Sequence, residues 1–463
     1  MLAVGGSWME WTLRLVGTGS DGQFRSFDVM AISRPDGLGE IANLGLTLAE
    51  AKLLLAQVQQ QVVAAQAQHH AMFRPDCQLC GKRYHAKGWR PHRIATLFGE
   101  VRVKFPRLAC AGCGCGDTGV RWPSHCRSTP ELNQLQAQLS ALMPYRIAAD
   151  LLQHLLPLDA GTSHETLRSH TLEIGKQLGD AAAEKPPVTA AAITISLDST
   201  FIRGRDDGER HLEVRVGNVE TASGDRQVFG SVSRAETDIA ALIKRTLETV
   251  GRTDATKVTA FTDGCPGLRA VLANASVTKP PILDWFHIAM RLQHTKLAAA
   301  NLSIDCPDRV TAKAAIVAEV ERLHWRIWNG KAKNAQRSIK RIRKVMHVFK
   351  GEHRQGAKGV ASRKLWHALH AVDKYLSGQA AWLVNYAKRY RAGERVGTSI
   401  TEGTANFLVN RRMNKSHQMR WSRNGADLLL QVRCAVYNGT LGVGIGRRFD
   451  QFSKADPALA KAA

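Results

Sequence analysis

Residues 193–198 read Ile-Thr-Ile-Ser-Leu-Asp, alternating apolar and polar as a strand buried on one face does. Similar runs at 212–219 and 227–232 predict two more strands with hairpin-like connections. A helical pattern at 237–250, a strand at 258–263, a short helix around 268–272 and a last strand at 282–284 complete an α/β segment. On either side the period is that of helices. Positions 131–143 and 145–156 predict two helices ended by Pro157, and a third follows a capping-box pattern, Thr162-Ser163-His164-Glu165. Downstream, 285–395 and 399–438 read as helical. Near the start, two or three short strands precede residue 46, and a helix runs from Thr47 to about residue 68, opened by a second capping box, Thr47-Leu48-Ala49-Glu50. Glu184-Lys185-Pro186-Pro187-Val188 reads as a linker, because paired prolines stop a helix.

Charge adds a partner to this picture. The chain carries 64 Lys and Arg against 40 Asp and Glu, a formal net charge of +24. Such an excess points to a polyanion, since each neutralised phosphate releases counterions. Ribosome association or a membrane surface are the blander alternatives. Between Lys331 and Lys350 the basic residues are Lys331, Lys333, Arg337, Lys340, Arg341, Arg343, Lys344 and Lys350, with no acidic residue among them. Ile339, Ile342, Val345 and Met346 are spaced to anchor one face of a helix there, which leaves Lys340, Arg341, Arg343 and Lys344 for phosphates. A hydrophobic share of 44% excludes a disordered chain, and 463 residues suffice for two to four domains. No apolar run is long enough to span a membrane, and the N-terminus lacks the basic start and apolar core of a signal peptide, so a cytoplasmic, nucleoid-associated protein is expected.

Five of the nine cysteines fall between 77 and 115. Cys77-Gln78-Leu79-Cys80-Gly81 and Cys110-Ala111-Gly112-Cys113-Gly114 are two Cys-x-x-Cys-Gly knuckles, and the glycine after each lets the backbone turn its amides toward sulfur. Cys77, Cys80, Cys110 and Cys113 suit a tetrahedral structural zinc in a zinc-ribbon module. Cys115 can replace Cys113, and His125 and Cys126 are further candidates. The helix after the capping box at 162–165 carries Arg168 and Lys176, with His164, Ser169 and His170, toward phosphates or bases in a helix-turn-helix-like arrangement.

The remaining chemistry is acidic. Asp198 and Asp263 close predicted strands, and the strand, strand, strand, helix, strand, helix, strand order is that of a ribonuclease-H-like sheet, in which the first and fourth strands are neighbours. Two adjacent carboxylates repel, and divalent metal offsets that repulsion. Glu402 opens a late helix on which Glu402, Asn406 and Val409 fall in line, followed by Arg411, Arg412, Lys415 and Arg420 as phosphate contacts and Trp421 as a stacking surface for an unpaired base. Asp284 ends the fifth strand and shares a helical face with His287 at i, i+3; Asp284 is a third ligand, a substitute for Asp263, or a helix cap.

In these motifs the chain resembles bacterial insertion-sequence transposases of the ISKra-four family, related to the Mutator-like DDE enzymes. The carrying residues are the paired knuckles, Leu197-Asp198-Ser199-Thr200-Phe201, Phe261-Thr262-Asp263-Gly264, Leu283-Asp284-Trp285-Phe286-His287, Thr401-Glu402-Gly403, Arg411-Arg412-Met413 and Arg420-Trp421-Ser422. The resemblance implies that Asp198, Asp263 and Glu402 are the catalytic ligands of Mg²⁺ or Mn²⁺. It also implies that Asp284 and His287 form the family's Asp/Cys-x-x-His motif. The expected fold is multidomain α+β: N-terminal strands and helix over 1–72, zinc ribbon over 73–128, helical DNA-binding segment over 129–184, and a ribonuclease-H-like catalytic domain over 190–440 with a helical insertion at about 288–398. A tail follows over 441–463. The expected function is metal-dependent cleavage and strand transfer of double-stranded DNA at terminal inverted repeats, by a homo-oligomer on DNA. The rivals are a domesticated DNA-binding protein without catalysis and a structure-specific nuclease of the same fold.

Overall fold

A computed structural model of the chain describes residues 8–442 except 20, 21, 23, 38, 39, 42, 43, 73, 118, 119, 121–126, 159–161, 181–188, 207, 350–358, 398–402 and 415–418. Glu402, Lys415, Lys350, His125, Cys126, the linker at 184–188 and the tail from 443 lie outside the described residues. The protein is mixed α/β and divides into two compact units, residues 1–176 with 440–463, and 177–439.

The first unit opens with a hairpin of β1 (Trp8–Thr18) and β2 (Phe24–Pro35), two long strands rather than several short ones. Helix α1 (Leu48–Met72) begins with the expected capping box: the Thr47 amide donates to Glu50 Oε2 at 2.8 Å and the Glu50 amide donates back to Thr47 Oγ1 at 3.2 Å. Its Ala67 packs with Val103 and Phe105 of a small sheet formed by β3 (Tyr84–Thr96), β4 (Gly99–Cys110) and β5 (Gly116–Asp117). Then come α2 (Pro130–Leu142), α3 (Tyr145–Leu155) and α4 (His164–Asp180), the last crossing into the second unit. Leu132, Ala148, Leu152 and Leu167 close a core between them. The capping residue of α4 is Ser163, not Thr162: Ser163 Oγ accepts from the Thr166 amide at 3.2 Å, while Thr162 Oγ1 accepts from Gln153 at 2.7 Å and Glu165 pairs with Arg168 instead of reaching back.

In the second unit β6 (Ala192–Arg203), β7 (His211–Thr221), β8 (Arg226–Ser231), β9 (Lys257–Thr262) and β10 (Ile282–Leu283) form one sheet in the order β10-β9-β6-β7-β8. The strands β6, β9 and β10 run parallel, and β7 is antiparallel to both neighbours. Strand alternation sorts the residues between two layers. Ile193, Ile195 and Leu197 pack with Ile239, Ile243 and Leu247 of α5 (Glu236–Thr249) and with Leu268 and Val271 of α6 (Pro266–Asn274). On the opposite face Val214 and Val216 meet Leu408 and Val409 of a π-helix (Asn406–Asn414) and Leu429 and Leu430 of α12 (Arg423–Tyr437).

Between β10 and the π-helix the described residues form mainly helices: α7 (Trp285–Ala300), α8 (Pro307–Trp328), α9 (Ala332–Val345), α10 (Gly359–Gln379) and α11 (Tyr386–Arg391). Their shared core includes Leu292, Ile316, Leu323, Ile339, Ile342 and Leu369. Among the described residues no helix is long and apolar enough to cross a membrane.

Candidate active site and candidate metal centre

The parallel pairing of three strands ends at one level. Leu197 of β6 pairs with Thr262 of β9, and Thr262 pairs with Leu283 of β10. The next residue on each is an aspartate, so Asp198, Asp263 and Asp284 follow one another across three neighbouring strands. Asp198 does not close its strand. The β-favouring Thr200, Phe201 and Ile202 carry β6 on to Arg203 against β7, whereas β9 stops at Thr262, so Asp198 sits where its parallel neighbour ends.

Asp198 and Asp263 line a cavity of about 410 Å³ together with Ser199, His287, Arg291 and His294. Each carboxylate takes one backbone amide at 2.8 Å, Asp198 from Ser199 and Asp263 from Cys265. Burial raises the Asp198 carboxyl above its usual value, and the negative charges of Asp263 and Asp284 add to this. The nearby His287 and the Ser199 amide pull the other way. Asp284 is more enclosed than its neighbours. It is 2% exposed, and its Oδ1 caps α7 by accepting from the Phe286 amide at 2.9 Å. Of the alternatives open for Asp284, the helix cap describes its geometry, and its carboxylate is not among the cavity's lining groups.

The loop after Asp263 is tightly held. Gly264 has φ +95°, and a Cβ there would meet Leu283 Cδ2 at 2.8 Å. Gln379 of α10 donates to the Gly264 carbonyl at 2.8 Å, and Tyr375 of the same helix donates to the Asp263 carbonyl at 2.9 Å. Arg291 lies over the Tyr375 ring at 4.7 Å. Arg291, His294 and Tyr375 escaped the sequence reading, although His287, Arg291 and His294 carry the spacing of one helix face, four residues and then three.

On the far side Ala405 and Asn410 line the cavity. The expected alignment of Glu402, Asn406 and Val409 assumed an α-helix. The wider π-helix brings residues five apart onto one face and leaves Val409 in the core. The same segment is tied to the Asp198 face of the sheet. Ser196 Oγ donates to Asn218 Oδ1 at 2.8 Å, and Asn218 Nδ2 donates to Thr404 Oγ1 at 3.2 Å.

Two expected DNA contacts on this segment are buried. Trp421 is 8% exposed, its indole donates to the Met413 carbonyl at 3.1 Å, and its backbone bonds to Arg203 and Arg205 of the β6 end, so it cannot stack on a base. Arg412 is 1% exposed, with its guanidinium 5.5 Å from the Trp421 ring. Arg411 and Arg420 remain exposed. On α9, Lys340, Arg341 and Lys344 are exposed while Ile339, Ile342 and Met346 are buried as expected. The stretch does have acidic neighbours, from other helices: Arg343 pairs with Asp373 at 2.8 Å and Arg341 approaches Glu319 at 3.7 Å. In the first unit Lys176 is exposed and Arg168 pairs with Glu165 at 2.7 Å. His170 is bonded to Gln136, and burial holds its pKa below the usual value, so it is a neutral packing residue.

The cysteine module is a second candidate centre. Both knuckles are built alike: the Gly81 amide donates to the Cys77 carbonyl at 2.8 Å with φ +70°, and the Gly114 amide to the Cys110 carbonyl at 3.0 Å with φ +71°. The Leu79 amide, with further help from Cys115, draws the Cys77 thiol down to about 5, and amides of Cys113 and Gly112 lower that of Cys110. The sulfurs of Cys77, Cys110, Cys113 and Cys115 all lie within 4.8 Å of one another and could hold a metal such as zinc. Contacts of 3.1 to 3.6 Å between them approach the edge of a tetrahedron whose metal–sulfur bonds are roughly 2.3 Å. This set has Cys115 where Cys80 was expected. Past Gly114 the chain folds back, the Cys110 amide donates to the Cys115 carbonyl, and Cys115 Sγ comes within 3.3 Å of Cys77. Cys80 is exposed and outside that set, although its Sγ lies 3.2 Å from that of Cys110 and it also interacts with Cys113 and Cys77.

No protein-family model matches the chain, and no curated protein sequence matches it either.

Proposed function

We propose that the chain is a DNA transposase of the DDE type, with a ribonuclease-H-like catalytic core, that cleaves the ends of its own element and joins them to target DNA. The observation that carries this reading is the register of Leu197 with Thr262, which sets Asp198 and Asp263 side by side in one cavity. The sheet order β10-β9-β6-β7-β8, with β7 alone running against the other four strands, supports the fold. Inclusion of Glu402 is supported by the segment just after it, whose Thr404 bonds to the Asp198 face and whose Ala405 lines the cavity. The net charge of +24 supports DNA as partner.

Asp198, Asp263 and Glu402 would hold Mg²⁺ or Mn²⁺. The donors fit, because carboxylate oxygens suit hard cations and the half-buried Asp198 and Asp263 repel each other within one cavity. When bound, such ions supply charge stabilisation at the attacking and leaving oxygens of a phosphodiester. The protein's own share is positioning. The Arg291 guanidinium, fixed over Tyr375, is placed to meet a phosphate at the cavity mouth. His287 offsets the negative charge on Asp198, and Tyr375 with Gln379 holds the loop that carries Asp263. A homo-oligomer on DNA, with zinc in the cysteine module for folding, completes the reading.

The test is joining. Protein incubated with the DNA that borders its coding region, a plasmid target and Mn²⁺ should yield fragments covalently joined to the plasmid. Cleavage restricted to branched DNA, without joining, would replace the transposase by a nuclease, and binding without any cleavage would leave a regulator.

A further inference from the structure

We propose that the groove between α7 and α10 holds an unpaired nucleotide of the DNA strand engaged at the carboxylate cavity. This rests on the reading of that cavity as a phosphodiester-processing site. The groove encloses about 760 Å³, within the range of roughly 300–1,000 Å³ that takes small ligands, and far too little for a duplex. It adjoins the cavity, because Arg291 and His294 line both.

Its chemistry is that of a nucleotide site. Arg291, His294, Lys364 and His367 supply cationic or protonatable groups, and among the described residues no carboxylate lines it. Its floor is small and apolar, with Ala298, Ala361, Ala368 and Ala371, so a flat base can lie close to the helix backbones. Unpaired bases need such a surface beside a charged track for the phosphates, and imidazole rings add faces for stacking. An apolar ligand or a partner helix would have no use for four such polar groups, two on each wall. The junction is also mechanically linked to the carboxylates. Arg291 packs on Tyr375, and Tyr375 bonds the Asp263 carbonyl, so a phosphate drawn to Arg291 bears on the loop that carries Asp263.

The experiment uses the full chain and two probes: a fluorescent oligo(dT) of about ten nucleotides, a length within the range single-strand sites cover, and a blunt duplex of several helical turns. Lys364→Glu removes charge and Ala371→Trp fills space, both at exposed positions of α10 that the fold tolerates. Each should weaken oligo(dT) binding about tenfold, the equivalent of one charge-assisted hydrogen bond, and leave duplex affinity within about twofold. Unchanged oligo(dT) affinity in both variants would overturn the proposal. So would an equal loss for the duplex, which would make α10 a general phosphate surface. Failure of the underlying reading shows separately, as absence of divalent-dependent cleavage by the unaltered protein, whatever the binding data say.

Discussion

The Tyr375 hydroxyl donates to the backbone carbonyl of Asp263 at 2.9 Å. A residue from the helical segment thereby fixes the loop of a sheet carboxylate 112 positions earlier in the chain. Burial pushes the phenol above its usual range, so it stays a donor at any physiological pH. Tyr375→Phe should cost about 0.5–1.5 kcal/mol in urea unfolding, as removal of a hydrogen bond does, and should slow cleavage while leaving duplex affinity unchanged. Unchanged cleavage at reduced stability would make the bond purely structural.

The cysteine module makes a prediction that separates two ligand sets. Cys115→Ser should lose zinc and the local fold, because binding energy is folding energy in such modules, whereas Cys80→Ser should retain both. Zinc content of the two purified variants decides it. Loss from the Cys80 variant with retention in the Cys115 variant would restore the set built from the two Cys-x-x-Cys pairs.

Removing charge from α9 should lower affinity for every duplex alike. Lys340, Arg341 and Lys344 are the residues to replace by glutamine, since Arg343 is engaged by Asp373 and its removal would leave that carboxylate half-buried without its partner. The slope of log affinity against log salt should flatten by up to about 0.9 for each DNA phosphate that is no longer neutralised. An unchanged slope would mean that the basic face of α9 meets water.

The start of α1 carries a pH dependence. The Arg34 guanidinium, with the Thr47 amide and hydroxyl, holds the Glu50 carboxyl down to about 2. A carboxyl whose pKa is lower folded than unfolded contributes stability that is complete above its unfolded value, about 4.3, and is lost as pH falls toward 2. Stability of the unaltered protein should therefore drop across that window more than that of Glu50→Gln. Identical acid profiles would remove the cap from the account.

How much of this was legible in the sequence follows from how local each feature is. Helix starts and strand runs come from short-range patterns, so α2, α3 and α5 and the five strands of the larger sheet lie within a residue or two of their predicted places, apart from the extension of β6. The neighbouring of Asp198 and Asp263 was readable too, because strand order fixed it. What failed depended on distant partners. The run of β6 to Arg203 needs β7 as its template, and the burial of Trp421 needs that same strand end. The π-helix shifts the face assignments from Asn406 onward, and no spacing rule announces it. Cys115 over Cys80 turned on how the chain folds back after Gly114, a three-dimensional matter. The pairing of Arg343 with Asp373 joins two helices that the sequence holds 30 residues apart.

The central claim is that Asp198 and Asp263 act together on a phosphodiester, and Asp284 does not. The most direct measurement is Mn²⁺-dependent cleavage of element-end DNA by Asp198→Asn, Asp263→Asn and Asp284→Asn, with duplex affinity measured in parallel. The account predicts no cleavage above background from the first two at undiminished affinity, since removal of a ligand empties a metal site without touching the basic residues that hold DNA. It predicts residual cleavage from the third, whose helix cap asparagine can also make. Near-normal cleavage by Asp263→Asn, with Asp284→Asn inactive, would contradict it.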